Sequence, residues 1–150
     1  MMGLQEQVNK DIITAMKGRD EVSLRTLRAV KAALLIAATA EGAKDIVEED
    51  QAIKIVQKLA KQRKESLDIF TLNGRAELAQ TEAEELAVLE RYLPKQLSEE
   101  EIKVELQLLF TQAGASSSAD FGKVMPMAMK HFAGRADGKI ISSLIKQLLG

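Results

Sequence analysis

Apolar residues recur at three- and four-residue steps almost from end to end of this 150-residue chain, the period of an α-helix packed by one face. That pattern predicts an all-α protein. A first helix is expected from about Leu4 to Lys17, with Leu4, Val8, Ile12 and Ala15 inward. A second is expected from about Asp20 to Glu41, stopping at Gly42, with Leu27, Val30, Leu34 and Ala38 inward and Arg25 and Arg28 projecting from the other side. A third begins near Glu48 or Glu49 and reaches about Leu72, where Asn73-Gly74 supplies a stop and a tight reversal into a fourth, Arg75 to Tyr92.

Leu93-Pro94-Lys95-Gln96-Leu97 interrupts the pattern, because proline disfavours helix at the residue before it and cannot donate within one. Two units are therefore expected: an N-terminal four-helix hairpin or bundle, residues 1–93, and a small three-helix unit, residues 94–150. Ser98 and Glu101 have the spacing of a capping box, and Leu97 with Ile102 that of a hydrophobic staple. The helix they start carries Ile102, Leu106, Leu109 and Phe110 and ends at Gly114. Ser116-Ser117-Ser118 reads as a capping loop, followed by a helix from Ala119 to Phe132 and, after Gly134, a last one capped by Asp137.

Composition removes whole classes of function. With no cysteine and one histidine, disulfide frameworks, thiol nucleophiles and Cys/His zinc sites cannot be built. No metal or cofactor is expected. No apolar run approaches the roughly 20 residues of a membrane span, and Gln5, Glu6, Asn9, Lys10 and Asp11 break up the first segment, so a soluble, cytoplasmic protein is expected. A formal charge of −1 argues against a wholesale nucleic-acid wrapper. Aromatics make up 3% of residues, too few for base-stacking platforms, so any RNA contact should be to backbone and shape.

Charge clusters locally instead. From Asp120 to Gly150 there are five cations, Lys123, Lys130, Arg135, Lys139 and Lys146, against Asp120 and Asp137. Lys139 falls in the first turn of the last helix, where partial positive charge makes a lysine unfavourable unless an anion is present. Arg135 lies just ahead of it, and Gly138 allows close backbone approach. A phosphate fits this pattern; so does a solvated loop in which Asp137 is only a cap.

Three further features carry both a functional and a plain reading. Lys54, Lys58 and Lys61 share the solvent face opposite Val56, Ala60, Leu67 and Phe70, and the glutamates of the fourth helix can balance them. Arg63 and Glu82 both fall on apolar faces and are nearly equidistant from the Asn73-Gly74 turn, which predicts a partly buried pair across the hairpin that sets register. Pro126 inside a Met125-Met127-Met129 segment predicts a kinked or loosened helix, its methionines filling core gaps or forming a docking face for a protein partner; the Arg25/Arg28 side is a second such face. His131 has no hydroxyl or carboxylate at a telling spacing and receives no role.

Several ordered segments are familiar together. Thr26 to Leu34 (TLRAVKAAL), Lys61 to Ser66 (KQRKES), Gly74-Arg75, Leu89 to Ser98 (LERYLPKQLS), Thr111 to Ser117, Gly122 to Met125 (GKVM) and Gly134 to Lys139 (GRADGK) resemble the GatB/YqeY family over nearly the whole chain. The resemblance implies a two-part helical protein similar to the tail of the B subunit of the glutamyl/aspartyl-tRNA amidotransferase, which approaches the body of the tRNA while chemistry is done elsewhere. It implies a non-catalytic, tRNA-associated module, with Lys123, Lys130, Arg135, Gly138 and Lys139 facing RNA. Carbon–nitrogen ligase chemistry with glutamine as amido donor needs an amidase subunit and a phosphorylating cradle domain, and the chain resembles neither. A protein-docking adaptor and an accessory of glutamine-dependent amido transfer are the alternatives.

Overall fold

The computed structural model describes residues 2–40, 42 and 46–150. It is all helical, with no strand among those residues: α1 (Leu4–Lys17), α2 (Glu21–Ala40), α3 (Glu49–Leu72), α4 (Ala76–Glu90), α5 (Glu99–Ala113), a 3₁₀ turn (Ser118–Asp120), α6 (Phe121–His131) and α7 (Gly138–Leu149). The chain forms two compact units, Met1–Leu93 and Pro94–Gly150, each with its own core.

In the first unit the expected stripes are buried: Leu4, Val8, Ile12 and Ala15 on α1, and Leu27, Val30, Leu34 and Ala38 on α2. Each fully buried branched side chain contributes about 1.5–3 kcal/mol over leaving it in water. Polar ties fix the helix ends. Glu49 accepts the Leu4 N–H at 3.0 Å, supplying the start of α1 with an anion from α3. The Asp20 carboxylate accepts from the Ser23 N–H and hydroxyl, so Asp20 caps α2 instead of beginning it. The expected end of α2 at Glu41 lies outside the described residues. The Tyr92 hydroxyl donates to Asp11 and anchors the exit from α4 to α1.

Helix α3 outruns this core. Its buried residues, Ala52, Val56 and Ala60, all lie in its first half, whereas Leu67 and Phe70, expected inside, are only half-buried. Beyond Ala60 the helix packs against α4, and Gly74 turns the hairpin with φ of 69°.

The second unit closes around Ile102, Leu106, Phe110, Val124, Phe132, Ile141 and Ile145. Ser98 and Glu101 form the reciprocal capping box, and Gly114 ends α5 in the left-handed region. The helix expected from Ala119 starts later. Asp120 accepts from the Ser116 and Ser117 N–H groups, and this tightens Ser118–Asp120 into a 3₁₀ turn before α6 begins. Helix α6 continues through Pro126, four residues after a Gly122 with open space around it. Of its methionines only Met125 packs on the core; Met127 and Met129 are exposed.

Candidate nucleic-acid interface

Helices α6 and α7 run antiparallel, because Met129 lies against Gly138 at one end and Lys146 sits 5.5 Å over the Phe121 ring at the other. The end with Met129 therefore gathers the C-terminus of α6, the Phe132–Asp137 loop and the first turn of α7. Lys130, His131, Arg135 and Lys139 belong to it, and Lys123 lies two turns back on the Lys130 face of α6, about 10 Å along the axis.

The loop is pinned from outside. The Leu97 N–H donates to the Arg135 carbonyl at 3.0 Å, and the Gln96 amide donates to the Gly134 carbonyl at 2.7 Å. Gly134 reverses the chain with φ of 77° and is itself buried. The Pro94–Leu97 strap thus satisfies two carbonyls that would otherwise point out of the turn. Gln96 and Leu97 are site residues that the sequence did not mark as such.

The cations expected to face RNA divide into two kinds. Lys123 donates its ammonium to the Ala113 carbonyl, so it caps the C-terminus of α5. Arg135 is engaged on several sides: one nitrogen donates to the His131 carbonyl at 2.7 Å, its guanidinium lies 3.4 Å from Glu105, and its carbon sits 5.6 Å over the buried Phe132 ring. Lys130 and Lys139 are exposed and make no hydrogen bond or ion pair through their ammonium groups among the described residues. At the start of α7 the Asp137 carboxylate accepts the Lys139 N–H, so the helix supplies its own anion there, and the dipole no longer demands an external one. Gly138 has a packing role: a Cβ there would stand 2.9 Å from Met129 Cε.

Glu105 on α5 and His131 also belong to this end. The His131 Nε2 lies 2.7 Å from Glu105 Oε1, and the imidazole edge meets Phe132 with ring centroids 4.8 Å apart. His131 and Arg135 are four residues apart in the chain, but Glu105 is distant in sequence and no local spacing announces it.

Elsewhere, the Arg63–Glu82 pair is present at 3.8 Å, yet the closer partner is Glu85 at 3.1 Å, which also takes Arg25 at 3.3 Å. Arg25, expected on an outward docking face, pairs with Glu85 of α4 while staying exposed, and Arg28 is exposed beside it. Lys54 and Lys58 lie exposed on α3 with no ion pair to α4 among the described residues. Burial and the neighbouring Asp11 carboxylate push the Tyr92 phenol well above its ordinary pKa, so it remains a donor at physiological pH. No group of three or more His, Asp or Glu side chains suited to a metal occurs among the described residues, and no described helix is long and apolar enough to cross a membrane.

These features define a small helical module of two units. The family model for Yqey-like proteins matches residues 5–149, and the chain belongs to that family. It is also similar to altered inheritance of mitochondria protein 41, mitochondrial, of Pyrenophora tritici-repentis, with 29% identity over 150 residues covering 96% of this chain and 80% of that protein.

Proposed function

We propose that the chain is a non-catalytic, tRNA-associated helical module whose C-terminal unit meets the RNA backbone with the α6–α7 end. The observation that carries this reading is the pair Lys130 and Lys139: two exposed ammonium groups beside the pinned loop, unmatched by any carboxylate among the described residues. Arg135 contributes field at that end while holding the fold together, and Lys123 caps α5 about two turns away. Contacts of this kind are electrostatic and read no sequence, so binding is weak and falls steeply with salt. The test is tRNA binding at about 50 and 200 mM salt, for the wild type and Lys130→Ala/Lys139→Ala. Binding at the lower salt that the double substitution abolishes supports the reading; no binding by the wild type at the lower salt defeats it.

A second reading, docking of a protein partner, draws on the exposure of Met127 and Met129 on α6, since methionine surfaces adapt to varied partners. A partner retained after nuclease treatment and lost on Met127→Ser favours it over tRNA. Under the first reading the module places tRNA for amido transfer carried out by other subunits.

A further inference from the structure

One carboxylate oxygen at the α6–α7 end is shared by three nitrogens. Glu105 Oε1 lies 2.7 Å from His131 Nε2 and 3.5 and 3.4 Å from the two terminal nitrogens of Arg135. This is the arrangement in which an imidazole and a guanidinium receive a phosphate oxygen, with the anion supplied by the chain itself. The groups are not locked away: the side chains of Glu105, Arg135 and His131 are 27%, 29% and 38% exposed. Partners of that exposure are held weakly, so an external anion competes on nearly equal terms.

We propose that Glu105 is an intramolecular stand-in for phosphate, that it masks an anion subsite formed by His131 and Arg135, and that a bound polyanion displaces it. The inference rests on the tRNA reading above and adds His131, for which residue spacing predicts no role, to the contact surface. A single phosphodiester group matches the carboxylate in charge and gains little by replacing it. A phosphodiester backbone does gain, because neighbouring phosphates are held at the same time by Lys130 and Lys139, which makes the exchange at Glu105 intramolecular. The mask thereby favours extended polyanions over single phosphates. Arg135 keeps its other contacts throughout, its bond to the His131 carbonyl and its seat over Phe132, so the subsite stays built when the carboxylate leaves.

The experiment compares wild type, Glu105→Gln, Glu105→Gln/Arg135→Gln and Glu99→Gln for binding of labelled total tRNA across a salt series, with folding checked by circular dichroism. Glu105→Gln keeps the side-chain shape and removes the competing charge. It should bind about fivefold tighter, with a salt slope steeper by about one counterion. Arg135→Gln in that background should remove the gain. Glu99 is an exposed carboxylate in the first turn of the same helix, so Glu99→Gln, which changes net charge equally, should give little. An unchanged or weaker Glu105→Gln, a gain that survives Arg135→Gln, or an equal gain from Glu99→Gln overturns the inference while leaving the tRNA reading standing. Failure of both wild type and Glu105→Gln to bind at low salt overturns the two together.

Discussion

Replacing Glu85 with alanine is the sharpest probe of the N-terminal unit. Glu85 Oε1 takes Arg63 at 3.1 Å and Oε2 takes Arg25 at 3.3 Å, so one carboxylate ties α4 to both α3 and α2. Its side chain is 15% exposed, Arg63's 23% and Arg25's 43%. The Arg25 contact is open enough to be screened and contributes at most a few tenths of a kcal/mol. The Arg63 contact is charge-assisted and mostly sheltered, and losing it leaves the guanidinium only the longer Glu82 contact, at about 2 kcal/mol. Glu82 is the control. It lies farther from Arg63, at 3.8 Å, and its Oε2 is buried with no hydrogen-bond partner, so Glu82→Ala discards a weak attraction together with an unsatisfied atom and should change stability by less than about 1 kcal/mol. Urea unfolding, followed alongside hydrogen exchange of the α4 amides to assign the loss to the first unit, separates the two. If Glu82→Ala costs as much as Glu85→Ala, the assignment of the register clamp to Glu85 is wrong.

Three other outcomes follow from the geometry. The chain has a single tyrosine, so an ultraviolet titration reads Tyr92 alone; its ionisation should lie well above the value of about 10 for a free phenol, and a normal midpoint would contradict the Asp11 contact. Ser98→Ala removes one half of the capping box and should destabilise the second unit by about 1 kcal/mol in urea melts, whereas an unchanged midpoint would mean that the staple residue Leu97 and the loop hydrogen bonds hold that end without it. Hydrogen bonds from Ser23 hold Asp20 below the ordinary carboxylate range, those from Ser98 do so for Glu101, and those from Ser116 and Ser117 for Asp120. A lowered folded-state pKa adds stability above the unfolded value, lost as pH falls through the folded one. These contributions should therefore be present in both units from neutrality down to about pH 5 and be lost below about pH 4, and a melt series showing no acid loss would refute this.

The sequence disclosed most where a signal is local. Ser98 and Glu101, Asp137 before its helix, and Asn73-Gly74 each act within a few residues, and the structure has each doing what its spacing predicts. Cross-helix pairing was less legible. Glu82 and Glu85 stand one turn apart on the same face of α4, so symmetry about the hairpin turn selects the face but not the turn, and the closer contact went to Glu85. Least legible was the chemistry of the α6–α7 end. Spacing identifies its cations, but which of them are already engaged depends on α5, through the Ala113 carbonyl and Glu105. Met127 and Met129, open in the sequence between core and docking face, fall on the surface because the buried face of α6 is occupied by Val124 and Ala128.

The central claim is that the α6–α7 end of this Yqey-like protein receives tRNA, and amide-resolved NMR of the isotope-labelled chain titrated with tRNA at low salt tests it most directly. The largest shift changes should map to Lys130 through Ile140 and to the α5 turn bearing Glu105, and should vanish when salt is raised. Changes confined to the first unit, or none at all, would contradict it.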